Sequence, residues 1–263
     1  MKLLPRVVEK PWGRTDLPLD FGRWSGSRIG EVWFEHPEAL DLPLLVKYIF
    51  TSEKLSVQVH PNDAQARERG LARGKNECWY ILNSEPGATL GLGLKSEVSA
   101  DELRAAALSG SIENLMDWRP VSPGELYYVP AGTIHAIGAG ITLLEVQQNS
   151  DVTYRLYDYG RPRELHLDNG IAVSELAEFD GSNVRAAGGP LDAVLVDSPF
   201  FQLIRATAAD HIPQSLSARQ RWVMPLAGKV TSNGAEATKG ECLLVEPGAP
   251  VSFANSTIAL IAA

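Results

Sequence analysis

The chain is short of sulfur, of histidine and of positive charge, and each shortage narrows what it can be. Its 263 residues hold two cysteines, Cys78 and Cys242, each inside an apolar strand-like run, ECWYIL and ECLLVEP. That excludes a disulfide framework and a CxxC metal or redox motif. Two buried free thiols suit a reducing cytoplasm. Lysine and arginine number 24 against 32 acidic residues, a net charge of −8. Such a balance excludes a surface built for nucleic acid, and an anionic substrate has to be met by a few placed cations against the overall field. No uncharged run approaches membrane-spanning length, and MKLLPRVVEKPWG carries Pro5 and charges where a secretory leader needs an apolar stretch. The expectation is a soluble, cytoplasmic protein with no membrane or nucleic-acid partner.

Helical periodicity is also scarce. With Gly 23 and Pro 17, the chain reads as many short strands joined by turns, filling one large all-β domain or two smaller ones. Strands are expected at 29–35 (IGEVWFE), 42–50, 54–60 (KLSVQVH), 77–82, 88–94 and 124–130, then in TIHAIG, ITLLEVQQ and VTYRLYDY. One passage, about 98–117, reads as a helical insertion. Ser99 is placed to cap it, Asp101 and Glu102 fall in its first turn, and Gly110 ends it, with a second short helix at IENLMDW. Near residue 175 the text turns small, polar and Gly-rich (SELAEFDGSNVRAAGGP), as a linker would.

Beyond the linker, GECLLVEPGAPVSFA repeats the plan of GELYYVPAGTIHAIG, with Val251 and Ser252 where the first copy has its histidine. The expected architecture is therefore mainly β. A ligand-bearing domain spans 1–175, and a second barrel of the same kind, without ligands, spans 186–263.

Only five histidines occur. Gln58 and His60, at i and i+2 of a strand, point to one face. Glu77 opens the next strand and His135 follows the PAGT turn. Two imidazoles, a carboxylate and a carboxamide oxygen make a mixed nitrogen and oxygen site for one divalent ion, with zinc favoured and iron, cobalt or manganese open. The ligands carry a single negative charge, so the ion would keep net positive charge and could act as a Lewis acid. Lys47 lies in the apolar strand LLVKYIF, where a lysine is costly unless it faces a polar cavity. Ser56, two residues before Gln58, shares that strand's face, as does Lys54.

The passages LSVQVHPND, GKNECWYIL, VPAGTIHAIGAG and EVQQNSDVTYRLYDYGR, with KPWG before them and RELHLDNG after, resemble in order the motifs of the type I phosphomannose isomerases. The resemblance runs from Lys10 to Gly170. It implies a cupin (double-stranded β-helix) fold and one zinc held by Gln58, His60, Glu77 and His135. It also implies interconversion of mannose 6-phosphate and fructose 6-phosphate, with Lys47, Lys75 and Arg155 lining the substrate cavity in catalytic roles and Ser56 and Lys75 touching the sugar phosphate.

Aldose–ketose isomerisation through an enediol needs a group that stabilises the enediolate and a base on one face of it. Candidates for the base are a water on the metal, a lysine of lowered pKa (Lys47 or Lys75), or Glu145. Trp12, Trp33 and Trp79 are expected in the core or cavity wall, His36 at the surface, His166 at the cavity entrance or the surface, and His211 in a structural role. GLGLK (91–95) lacks the helix that a phosphate-binding glycine loop requires. An isomerase or epimerase of another sugar phosphate would keep the same ligands. An iron dioxygenase is disfavoured by Gln58 in place of a histidine, and a non-catalytic sugar-binding cupin by Lys75 and Arg155.

Overall fold

The computed structural model describes residues 1–24, 26–181, 184–185 and 189–263. The first part of the chain builds two sheets. Its strands are β1 (Leu4–Arg14), β2 (Ile29–Glu35), β3 (Leu44–Phe50), β4 (Val57–Val59), β5 (Glu77–Ser84), β6 (Thr89–Leu94) and β7 (Met116–Pro120). They continue with β8 (Leu126–Val129), β9 (His135–Ile137), β10 (Ile141–Gln148), β11 (Tyr154–Tyr157) and β12 (Val184–Arg185). A seven-stranded sheet runs β1-β2-β3-β10-β5-β8-β12, and a five-stranded sheet, β11-β4-β9-β6-β7, faces it. All the pairings are antiparallel.

The later part repeats this on a smaller scale. Strands β13 (Ala193–Asp197), β14 (Gln202–Ala206), β15 (Arg221–Ala227), β18 (Leu243–Val245) and β20 (Ile258–Ala262) form one sheet, in the order β13-β14-β20-β15-β18. A three-stranded sheet holds β16 (Lys229–Ser232), β17 (Ala235–Thr238) and β19 (Ser252–Phe253).

The middle strands of the large sheet are buried on both faces, which is why β3 reads LLVKYIF with no alternation. Val46, Tyr48 and Phe50 face outward into a core shared with the later part, including Phe201, Leu203, Trp222, Met224 and Leu260. The opposite face, with Ile49, Trp79, Ile81 and Leu143, lines the interior of the first sheet pair. Lys47 is on that interior face.

The two copies seen in the sequence match in detail. Gly124 and Gly240 open their strands at φ +89 and +84, where a side chain would be strained. The glutamate after each glycine accepts from the backbone N–H three residues earlier, Ser122 at 2.8 Å and Thr238 at 2.9 Å. Matching β18 to β8 sets Arg221 where Glu77 stands, since these residues pair with Val245 and Val129 respectively. Val251, at the place of His135, is packed in an apolar core.

The helical insertion forms as two helices, Ala100–Ser109 and Ile112–Leu115. Ser99 and Glu102 make a reciprocal capping box, and Gly110 closes the first helix at φ +82. Three elements differ from expectation. The eleven-residue β1 has a mostly exposed, charge-interrupted sequence with little alternation to read. The polar stretch after His60, for which no element was expected, contains a helix, Asp63–Glu68, opened by an Asn62–Gln65 capping box. The segment expected as a linker contributes β12, which pairs with Leu126 and Tyr127; its residues 182–183 and 186–188 lie outside those described.

Candidate active site

Three backbone segments deliver the predicted ligands to one place. β4 carries Gln58 and leads to His60, β5 opens with Glu77, and β9 opens with His135, which pairs directly with Gln58. A polar scaffold fixes these segments. Asp63 accepts from the Gly74 N–H and the Gln148 amide, Gln148 accepts from Asn76, and Asn76 accepts from the Ala131 N–H. Gly132 N–H donates to the His60 carbonyl. Gly74 has no room for a side chain, because a Cβ there would lie 2.4 Å from the Asn62 backbone.

His60, Glu77 and His135 are buried, and their donor atoms lie within 4.8 Å of one another. Glu77 Oε1 is 3.4 Å from His135 Nε2, and Glu77 Oε2 is 3.6 Å from His60 Nε2. Burial, then the charge of Lys75, pushes His60 well below the ordinary histidine value; burial pushes His135 down to about 4. Both rings are thus neutral near pH 7. Thr133 O lies 2.8 Å from His135 Nδ1, which sets the proton there and leaves the Nε2 lone pair toward Glu77. Lys75 Nζ lies 2.8 Å from Glu77 Oε2 and 3.2 Å from His60 Nε2, so these donors already face a cation. The Gln58 amide nitrogen lies 3.3 Å from His135 Nε2, and its oxygen accepts from Ser56. A half-turn of that amide presents its oxygen to the cluster. This donor set fits one divalent metal ion.

Gln58 and Lys75, which touch the cluster, line a cavity of about 350 Å³, a size suited to a small molecule. Its walls carry five lysine or arginine residues against three acidic ones, the reverse of the whole chain's balance. Charges alternate across the large sheet. Lys47 pairs with Glu145 at 2.9 Å, Lys75 lies 3.8 Å from Glu145, and Trp79 donates its indole N–H to the other Glu145 oxygen.

No protein-family model matches the chain. The mannose-6-phosphate isomerase of Streptococcus mutans is 37% identical over 222 residues, which cover 79% of this chain and 70% of that protein. The mannose-6-phosphate isomerase ManA of Bacillus subtilis is 43% identical over 169 residues, covering 59% of this chain and 53% of that protein. The crystal structure of a B. subtilis mannose 6-phosphate isomerase matches with a TM-score of 0.81 at 26% identity, covering 100% of this chain and 98% of that one. The chain belongs to the mannose-6-phosphate isomerase family. Its fold is the mainly β cupin fold of that family.

Ser56, Gln58, Lys47, Lys75 and Arg155, all singled out in the sequence, line the cavity together, with His60, Glu77 and His135 beside them. One expectation needs correction. Burial alone would lower Lys47, but Glu145, Glu31 and Glu77 outweigh it and hold its ammonium well above the ordinary lysine value. Lys47 is therefore a fixed cation and not a base of lowered pKa.

Arg155 is half-buried, opens onto the cavity and donates to the Glu164 carbonyl, with no carboxylate in ion-pair range among the described residues. Asp158 is instead held by Arg161 and by both nitrogens of Arg163 at 2.6 Å. Lys54 precedes β4 and reaches Glu113 of the helical insertion at 2.5 Å, away from the ligands.

Among the lesser readings, Trp12 lines the cavity, and Trp79 is buried beside the His135 ring. Trp33 lies beneath the Lys47 ammonium. His166 stands at the cavity wall, accepting from the Arg155 N–H, while His211 pairs with Asp192 at 2.8 Å. His36 is half-buried, not exposed, and accepts from the Glu38 N–H. Sequence reasoning missed Lys10, Glu31 and Asp151 as cavity residues. The alternation of IGEVWFE was the available signal for Glu31, because it sets Glu31 and Trp33 on one face.

Proposed function

We propose that the chain interconverts mannose 6-phosphate and fructose 6-phosphate, with zinc as its one metal ion. The observation that carries this reading is the buried His60–Glu77–His135 cluster beside a predominantly cationic cavity, in a chain of this family. Gln58, His60, Glu77 and His135 would hold the ion, which when bound supplies a Lewis acid for an oxygen of the substrate. Residues 1–175 act as the catalytic domain, and 186–263 as a copy that has exchanged ligands for packing.

Arg155 lies across the ladder from Gln58, at the ligand end of the cavity. Its guanidinium, with no carboxylate partner among the described residues, stabilises the negative charge that develops on the first two substrate oxygens. Lys75 holds Glu77 in place and adds positive charge beside it. Ser56 offers a hydroxyl between the ligand end and the rest of the cavity.

With Lys47 fixed as a cation, Glu145 becomes the proton carrier between the first and second carbons. Burial, then the charge of Glu77, raises its carboxyl despite Lys47 and Lys75, so it can both take and return a proton. A coupled assay on metal-loaded protein tests the whole reading, comparing mannose 6-phosphate with glucose 6-phosphate and other hexose phosphates. Turnover is expected with mannose 6-phosphate. Inactivity on it by a folded protein holding one zinc per chain overturns the assignment.

A further inference from the structure

The sugar phosphate's far end needs its own anchor, since Arg155 stands beside the metal ligands. From the metal-binding Gln58 the chain runs back through Ser56 and Leu55 to Ser52, whose N–H donates to the Trp12 carbonyl at 2.9 Å. That path ends on the KPWG segment. There β1 carries an irregularity: Glu9 and Arg14 both register with Ile29, so residues 10–13 are thrown out of the ladder. Such a bulge re-aims side chains. Lys10 and Trp12 both line the cavity from this turn.

Gly30 leaves them the space. A Cβ on it would lie 2.4 Å from Lys10 Cγ and 2.9 Å from the Trp12 ring. Glu31, next along β2, is 6% exposed and has its carboxylate held by the Trp33 indole. Lys10 Nζ lies 3.5 Å from it, a looser contact than the 2.9 Å of Lys47–Glu145, and the Lys10 side chain stays 30% exposed. Three donors on a partly solvated ammonium are free to turn toward an anion.

The spacing suits the substrate class. Strand order puts Glu31 on β2 three positions from Glu77 on β5, and the ladder carries Glu31 across to Ile81, four residues along β5 from Glu77, so their backbones lie roughly 14 Å apart across the strands and roughly 13 Å along them. A hexose phosphate spans about two strand spacings from its first carbon to its phosphorus, roughly 9 Å. The side chains reach inward from both ends, and Lys10, Gln58 and Lys75 line one cavity. Arg163, the other rim cation, is committed to Asp158 through two contacts of 2.6 Å.

We propose that Lys10 is the anchor for the substrate's phosphate, with Glu31 as the positioning residue that holds its ammonium at the cavity mouth and Gly30 as the space that seats its stem. This rests on the isomerase reading above. With wild-type turnover of mannose 6-phosphate established first, Lys10→Met, which keeps the stem and removes the charge, should raise KM about tenfold or more. Its kcat should stay within about threefold, because the charge acts equally on the ground and transition states. Inorganic phosphate should weaken as a competitive inhibitor by a similar factor, and Lys10→Arg should restore most of both losses.

Values of KM and of phosphate inhibition within about twofold of wild type in Lys10→Met would overturn the proposal, as would a fall in kcat at unchanged KM. Calorimetric titration of inorganic phosphate into wild type and Lys10→Met reads the same difference without turnover. Lys10 is therefore tested even if mannose 6-phosphate proves not to be the substrate. Equal phosphate binding by the two proteins refutes the anchor, and weaker binding by the variant supports it.

Discussion

Replacing Lys47 by methionine tests the buried charge network most directly. Lys47 and Glu145 are 6% and 2% exposed and meet at 2.9 Å. Methionine fills the same volume but leaves Glu145 with only the more distant Lys75, at 3.8 Å. Breaking a buried pair by removing one partner costs about 3–5 kcal/mol. The remaining lysine argues for the lower end, about 3 kcal/mol. At roughly 2–4 °C per kcal/mol for a chain of this size, the melting temperature should fall by about 6–12 °C.

Adding Glu145→Gln should recover part of that loss, since it removes the stranded charge, giving a coupling energy of roughly 1–3 kcal/mol in the cycle. The Lys47 ammonium is favoured by folding, so its contribution is fully present below the unfolded lysine pKa of about 10.4 and fades only above it. The difference between wild type and Lys47→Met should therefore not shrink from about pH 6 to pH 9, and should widen as the stranded Glu145, whose carboxyl burial already raises, loses its proton in the variant. Calorimetric unfolding of the four proteins checks both points. Additivity within about 0.5 kcal/mol, or a difference that shrinks steadily across this range, would refute the network.

Elemental analysis should find one metal per chain, none in His60→Ala or His135→Ala, and activity that is lost to a chelator and restored by zinc. Two equivalents per chain would contradict the ligand-free reading of the later copy. Arg155→Ala should keep its metal and its fold, leave KM nearly unchanged and lower kcat by about a hundredfold or more, as for an interaction made only in the transition state; a raised KM with kcat intact would make Arg155 a substrate anchor instead. Burial pushes both the Cys78 and Cys242 thiols up, so neither should react with a thiol reagent at pH 8 until the protein unfolds. Rapid labelling of native protein would contradict that burial.

The sequence was most legible where a local rule acted alone. Capping chemistry at Ser99 and the Gly110 stop located the first helix of the insertion, and the i, i+2 spacing of Gln58 and His60 put both beside Glu77 and His135. What stayed hidden depended on distant pairing. β1 is held by its register to β2 and not by its own pattern, so Lys10 could not be placed in the cavity. The partner of an arginine is likewise set by loop geometry, and Asp158 went to Arg161 and Arg163, which reach it from the following turn. The sign of the Lys47 shift could not be read at all, since it rests on carboxylates from three other strands.

The apolar face shared by the two parts bears on the order of events at the ribosome. Leu3 N–H donates to the Cys242 carbonyl, and the Met1 carbonyl accepts from the Leu244 N–H, so residues 1–3 are fastened to a strand made long after them. Until that strand emerges, Val46, Tyr48 and Phe50 have no apolar cover from residues 201–262, and the nascent first half carries a wet hydrophobic sheet. The later part of the chain, whatever chemistry it holds, is the cover that ends this exposure. It is free to vary inside its own barrel while remaining bound by shape to the face that it covers.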